Sequence, residues 1–280
     1  MVKYPKTKDK DFYKKIYKLF NKYKISNKGR TLKQICYPKK YKLQIPQTFI
    51  KEFINPRTPY KGLLVYHQIG AGKTCAAVAT AEEWKRKRNI LVVVPASLIT
   101  NFYKELRSQC TGDEYLLPKS RKTLKDLNPS TKKYKEMIKK VNKKIEKYYT
   151  VLSYNKFVEK LQKRRINLKN TLLIIDEVQN IVSEHGTFYK VIKKAIDRAP
   201  DDLRVLLLSG TPIFDKPHEI ALTMNLLKLP EDLPTGSKFN EKFLKTKKKK
   251  SGEISYKAIK MKIFKNKIRG FVSYYRGAPP

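Results

Sequence analysis

Leu63-Leu64-Val65-Tyr66-His67-Gln68-Ile69-Gly70-Ala71-Gly72-Lys73-Thr74 is the stretch on which the fold turns. An apolar run reads as a buried strand, a glycine-bearing loop follows, and Gly-Lys-Thr opens a helix over 73–87. A phosphate cradle needs this layout. Glycines let backbone N–H groups turn inward onto phosphate oxygens, and the helix N-terminus adds partial positive charge. In such a cradle Lys73 reaches the β/γ-phosphates and the Thr74 hydroxyl ligates Mg²⁺. The standard pattern has a glycine where His67 stands. Taken alone, Gly-Lys-Thr also suits an ordinary helix start.

Outward from this loop the chain alternates. A helix over 47–54 is broken by Asn55-Pro56-Arg57-Thr58-Pro59. Further strands fall at 90–94, 150–153, 171–175 and 205–209, with helices near 98–108, 156–163, 188–196 and 217–227. Each strand is a continuous Val/Ile/Leu run with a helix between it and the next. That pattern predicts an α/β fold with a parallel sheet covered by helices on both faces.

Two later strands end in polar residues. Leu172-Leu173-Ile174-Ile175 runs into Asp176-Glu177-Val178-Gln179. Ligands of open α/β sheets bind at the carboxyl ends of strands, so this turn is expected to face the lysine loop. There Asp176 would hold Mg²⁺ and Glu177 would orient and activate an attacking water. An Asp-Glu pair also serves as a plain helix cap. Val205-Leu206-Leu207-Leu208 likewise runs into Ser209-Gly210-Thr211, which by itself reads as an ordinary turn.

In this order the three sites resemble the first RecA-like, P-loop NTPase domain of superfamily 2 helicases and translocases. Gly70, Ala71, Gly72, Lys73 and Thr74 correspond to motif I, and with Cys75 they are the implied nucleotide-binding residues of the loop. Asp176 to Gln179 correspond to motif II, and Ser209 and Thr211 to motif III. Val94-Pro95-Ala96-Ser97-Leu98 resembles motif Ia and Val151-Leu152-Ser153-Tyr154 motif Ib. Gln47 stands where the family reads adenine. The strings Thr58-Pro59-Tyr60-Lys61-Gly62-Leu63-Leu64 and Asn101-Phe102-Tyr103-Lys104-Glu105-Leu106 are most similar to the Swi/Snf-like helicases of nucleocytoplasmic large DNA viruses. Those include the early-transcription-factor small subunit and nucleoside triphosphatase I types.

The resemblance implies ATP and Mg²⁺ as ligands and a nucleic-acid backbone, DNA or RNA, as partner. By the same likeness Ser97, Asn101, Ser153 and Tyr154 are the contacts to that backbone. It also implies ATP hydrolysis supporting viral transcription or DNA processing, with a second RecA-like lobe or a viral RNA polymerase as a further partner. The expected location is the virion or the host cytoplasm. Two departures stand out. Motif II reads Asp-Glu-Val-Gln where Asp-Glu-Ala-His is usual, and the family's fourth residue contacts motif III. The motifs of a second lobe are missing, including an arginine finger worth about 10³–10⁵ in rate for related NTPases. The lobe alone is therefore expected to hydrolyse ATP slowly. A binding module that keeps the fold without turnover is the alternative.

Composition agrees with such partners. Lys plus Arg is 64 and Asp plus Glu 24 in 280 residues, a net charge of +40. Polyanions are the natural partners of such a chain. Eleven lysines and one arginine fall at 119–147 against three acids. This stretch reads as a basic insertion at 118–149, partly an amphipathic helix, and it and Lys245, Lys247, Lys248, Lys249 and Lys250 are expected to grip phosphates without base readout. Any single lysine among them is more simply a solvated charge.

The domain reading is a basic extension at 1–44, a RecA-like ATP-binding domain at 45–229, and a basic segment at 230–280 leading to an absent second domain. Phe12, Ile16, Leu19, Phe20 and Tyr23 predict a short amphipathic helix in the extension, and 271–275 a closing strand. Neither a signal peptide nor an apolar run long enough for a membrane span is present. Cys36, Cys75 and Cys110 fit neither a disulfide framework nor a metal cluster, which points to a reducing, intracellular compartment. His185 and His218 lack metal spacing.

Overall fold

The computed structural model describes residues 2–24, 41–213, 216–248 and 254–276. Cys36, Lys249, Lys250 and the closing Pro279-Pro280 lie outside the described residues. The strands are β1 (Gly62–His67), β2 (Asn89–Val94), β3 (Tyr149–Ser153), β4 (Thr171–Ile175), β5 (Arg204–Ser209), β6 (Leu244–Lys248), β7 (Ile254–Ala258) and β8 (Val272–Tyr275). Six of them form one sheet in the order β3-β2-β4-β5-β1-β8, and every neighbouring pair is parallel.

The period-2 alternation of strands divides each apolar run between two cores. Leu63, Val65, Ile90, Val92, Val94, Leu172, Ile174, Leu206 and Leu208 face one side. Leu64, Leu91, Val93, Leu173, Ile175, Val205 and Leu207 face the other. Because both faces are covered, the strands cannot alternate with polar residues, which is why they read as unbroken hydrophobic runs. Burying each such side chain contributes about 1.5–3 kcal/mol.

The first face is covered by α1 (Phe12–Leu19), α2 (Ile45–Phe53), α3 (Lys73–Trp84), α4 (Ile99–Leu106) and the inner edge of α6 (Lys132–Ile145), which follows α5 (Pro118–Asp126). The second is covered by α7 (Tyr154–Gln162), α8 (Thr187–Arg198), α9 (Glu219–Asn225) and α10 (Gly236–Phe243), with α11 (Met261–Lys267) at its rim.

The predicted strands and helices between 47 and 227 are all present, with ends shifted by a few residues. The amphipathic helix expected in the insertion forms as α6. Val141 and Ile145 of α6 are buried in the first core, while all eleven lysines between 119 and 147 stay exposed. The amphipathic helix of the extension forms as α1, and Phe12 and Ile16 are buried against the same core. The basic segment holds elements that its lysines concealed. Leu244–Lys248 and Ile254–Ala258 pair as an antiparallel hairpin, whereas the closing strand expected at 271–275 forms as Val272–Tyr275 and joins the main sheet beside β1.

Candidate nucleotide site at the carboxyl edge of the sheet

Since all six strands run the same way, the turns after β1, β4 and β5 emerge on one edge of the sheet. Those strands are also consecutive in the order β4-β5-β1. The structure thereby brings residues 70–74, Asp176, Glu177, Ser209 and Thr211 to adjacent strand ends.

The loop after β1 needs both of its glycines. Gly70 and Gly72 have φ of 83° and 70°, in the left-handed region that a side chain disfavours. At Gly72 a Cβ would also lie 2.2 Å from Gln47 Nε2. Gly72 is the N-cap of α3, and no side chain among the described residues caps that end, so the first-turn N–H groups remain available to an anion. Lys73 is buried, and its ammonium donates to the His67 carbonyl at 3.1 Å. The Gln47 carboxamide is committed within the protein. Its oxygen accepts from Gln44 N at 2.8 Å and its nitrogen donates to Gly72 O at 3.3 Å. It therefore ties α2 to the loop.

The acidic turn is held as firmly. Asp176 is 6% exposed, and its Oδ1 accepts from Glu177 N at 3.0 Å. Burial, and then the charge of Glu177, push its carboxyl up to about 6, with the Glu177 N–H and Lys73 pulling the other way. A carboxylate buried at such a cost, beside an ammonium and an uncapped helix start, suits a divalent cation. Glu177 has a φ of 50°, which costs a non-glycine residue about 1–2 kcal/mol. The Tyr154 hydroxyl fastens this turn, reaching Asp176 O and, at 3.0 Å, Glu177 O.

Gln179 occupies the position where histidine was expected, and it still spans two sites. Its Nε2 donates to Glu177 Oε2 at 2.7 Å, and its Oε1 accepts from Ser209 Oγ at 2.7 Å. Ser209 Oγ in turn accepts from Thr211 N at 3.0 Å. One amide side chain thus relays between the acidic turn and the turn after β5.

The other predicted residues are placed differently. Ser97 and Asn101 are exposed beyond the end of β2, and Ser153 is half-buried at the end of β3. All three lie across β4 from the loop. Ser153 Oγ also caps α7, accepting from Lys156 N at 3.3 Å. Tyr154 departs from the expected backbone contact. It is 8% exposed with its hydroxyl turned inward, because α7 starts there and aims its first side chain under the acidic turn. Nothing in Ser-Tyr after a strand distinguishes the two fates.

The cysteines require a correction. Cys75, one residue past Thr74, is disulfide-bonded to Cys110 with Cα atoms 5.4 Å apart. The Tyr41 hydroxyl donates to both sulfurs at 3.0 and 3.1 Å. The pairing was hidden because the partners are 35 positions apart and meet only when α3 packs on the turn after α4.

A phosphate-type loop, a buried acid pair and a hydroxyl turn on consecutive parallel strands define a RecA-like ATP-binding domain of the helicase class. The chain belongs to the SNF2-related domain family, whose profile matches residues 12–262. It is 52% identical over 279 residues to a putative ATP-dependent RNA helicase of Acanthamoeba polyphaga mimivirus, covering 100% of this chain and 48% of that protein. It is 27% identical over 178 residues to the termination factor NPH-I homolog of African swine fever virus, covering 60% of this chain and 22% of that protein. The chain thus spans about half the length of the first of these relatives and less of the second. In fold it is similar to the SWI2/SNF2 ATPase core of Sulfolobus solfataricus, solved in complex with dsDNA. The TM-score is 0.50 and the identity 18%, covering 82% of this chain and 42% of that one. Relatives of this kind are ATPases in general and typically use Mg²⁺. Among the described residues no helix is long and apolar enough to cross a membrane.

Proposed function

We propose that this chain is the ATP-binding and ATP-hydrolysing lobe of a viral nucleic-acid helicase or translocase that acts in transcription or DNA processing. One observation carries the reading: the buried Asp176, tied to Glu177 in the turn after β4, stands one strand from β5 and two from the strand that leads to the uncapped start of α3. Lys73 would leave the His67 carbonyl for the β/γ-phosphates, and the N–H groups of residues 70–75 would line the phosphates. Thr74 and Asp176 would hold Mg²⁺, whose chemistry is to neutralise phosphate charge. Glu177 would orient the attacking water and accept its proton. Gln47 would report adenine occupancy to Gly72. Ser209 and Thr211, reached through Gln179, would sense the same event.

The names of the relatives, an RNA helicase and a termination factor homolog, support a nucleic-acid partner and a transcriptional setting. Ser97, Asn101 and Ser153, with the exposed lysines of α5 and α6, would meet the phosphate backbone. Residues 45–229 would be the nucleotide-binding unit. A second RecA-like lobe or a polymerase is the partner that would complete fast turnover.

Phosphate release by the purified chain, measured with and without DNA or RNA, tests this. Activity that rises with nucleic acid and vanishes in Lys73→Ala is the expected result. Phosphate release no higher than in Glu177→Gln under every condition would leave a binding module without turnover.

A further inference from the structure

His67 takes the place of a glycine in the standard loop pattern, and its side chain is wholly buried. Its Nε2 lies 3.0 Å from Ser273 Oγ on β8, and its ring meets that of Tyr275 edge-on at 5.6 Å. Tyr275 is also its register partner, and Gln68, the first loop residue, donates its N–H to Tyr275 O at 3.0 Å. On its other side the His67 carbonyl is the resting acceptor for the Lys73 ammonium. A single residue therefore holds β8 by its side chain and the loop lysine by its backbone.

Two further facts say that this is more than packing. His67 Nδ1 is buried and has no hydrogen-bond partner among the described residues. A side chain chosen only to fill space would not carry such an atom, since an unmet buried polar group is costly. Among the described residues β8 is moreover the edge of the sheet, with one neighbour, and all four of its residues stay partly open, Tyr274 at 63%. Edge elements of this kind open locally more readily than central strands.

We propose that His67 is a positioning residue that couples the phosphate loop to β8, so that nucleotide binding and the docking of Val272–Tyr275 favour one another. The inference rests on the nucleotide-binding reading above. A glycine at position 67 would keep only the backbone ladder to β8, whereas the imidazole makes the loop's geometry depend also on the Ser273 and Tyr275 side chains. Thermodynamic reciprocity then requires bound nucleotide to tighten β8 by the factor by which docked β8 tightens nucleotide.

Hydrogen exchange of the whole chain, with and without Mg²⁺ and a non-hydrolysable ATP analogue, measures both sides. The analogue is expected to slow exchange in residues 69–76 and, by at least about fivefold, in residues 272–276. In Ser273→Ala the loop remains protected, β8 does not respond, and the analogue binds about fivefold more weakly. His67→Ala behaves the same way, while His67→Gln, which retains an amide to meet Ser273, recovers part of the β8 response. A loop that is protected while β8 exchange is unchanged in the unmodified chain overturns the coupling alone. No protection of the loop overturns the nucleotide-binding reading and the coupling with it.

Discussion

The turns after β1, β4 and β5 and the helix pair α5–α6 both gather charge, under opposite conditions. In the turns, Lys73 and Asp176 are buried, and the Lys73, Asp176, Glu177, Gln179 and Ser209 side chains each have a named partner. In α5–α6, ten lysines are all exposed, and α6 is seated by other residues, Val141 and Ile145. A buried charge interacts strongly and is placed atom by atom, whereas an exposed lysine is screened and acts in sum with its neighbours. Single substitutions should therefore be decisive in the first region and nearly silent in the second.

The largest break is expected from Lys73→Ala and Glu177→Gln. Each should lower phosphate release by about 10²–10³. Nucleotide titration separates them, because only Lys73→Ala also loses binding. Glu177→Gln keeps an oxygen for Gln179 Nε2, so its melting temperature should hardly move.

Asp176 gives the next effect, and it reads on stability. Its folded value of about 6 lies above the ordinary 3.8, so the folded chain binds this proton more tightly than the unfolded one. Its contribution to stability is thus largest at low pH and falls as pH rises from about 4 to about 6. Asp176→Asn removes that charge, so without Mg²⁺ it should be more stable than the parent by about 3 kcal/mol at pH 8 and by little at pH 4. Urea unfolding at the two pH values checks this, and equal differences at both would remove the buried-charge account.

Gln179→Ala should cost less, about 1–2 kcal/mol of coupling between the acidic turn and Ser209. The expected sign is a smaller stimulation of ATP hydrolysis by nucleic acid, with basal hydrolysis changed less. If stimulation is unaltered, the relay through this amide carries nothing.

The lysines come last. Replacing Lys139, Lys140, Lys143 and Lys144 together by Gln should reduce the salt dependence of duplex binding by up to about 0.9 for each phosphate no longer neutralised. Replacing one alone should be barely measurable, and basal hydrolysis should be unchanged. A single lysine with a large effect would mean that the insertion contains a specified site after all.

The comparison also explains which parts were legible in the sequence. The parallel sheet was visible because burial on both faces forces uninterrupted runs such as Leu172 to Ile175. Residues 70–74 and Asp176-Glu177 were visible because their chemistry admits few residue types. Contacts made by ordinary residues across long separations were not. Tyr154 reaches the acidic turn from 22 positions away, His67 meets Ser273 from 206, and Cys75 meets Cys110 from 35. The lysines hid structure in another way. Their charge dominates 119–147 and 244–258, whereas the few apolar residues that seat α6 and the alternation that pairs β6 with β7 carry little compositional weight.

The Cys75–Cys110 bond makes the chain between them a closed ring that contains most of α3, all of β2 and all of α4. Pulled from its two ends, such a chain transmits tension through the bond and bypasses the ring. At about 3.5 Å per residue, the 35-position span withholds about 120 Å of extension until it is reduced. In the oxidised lobe the helix that follows the phosphate loop and the strand that leads to Ser97 are thereby shielded from any load the rest of the protein bears.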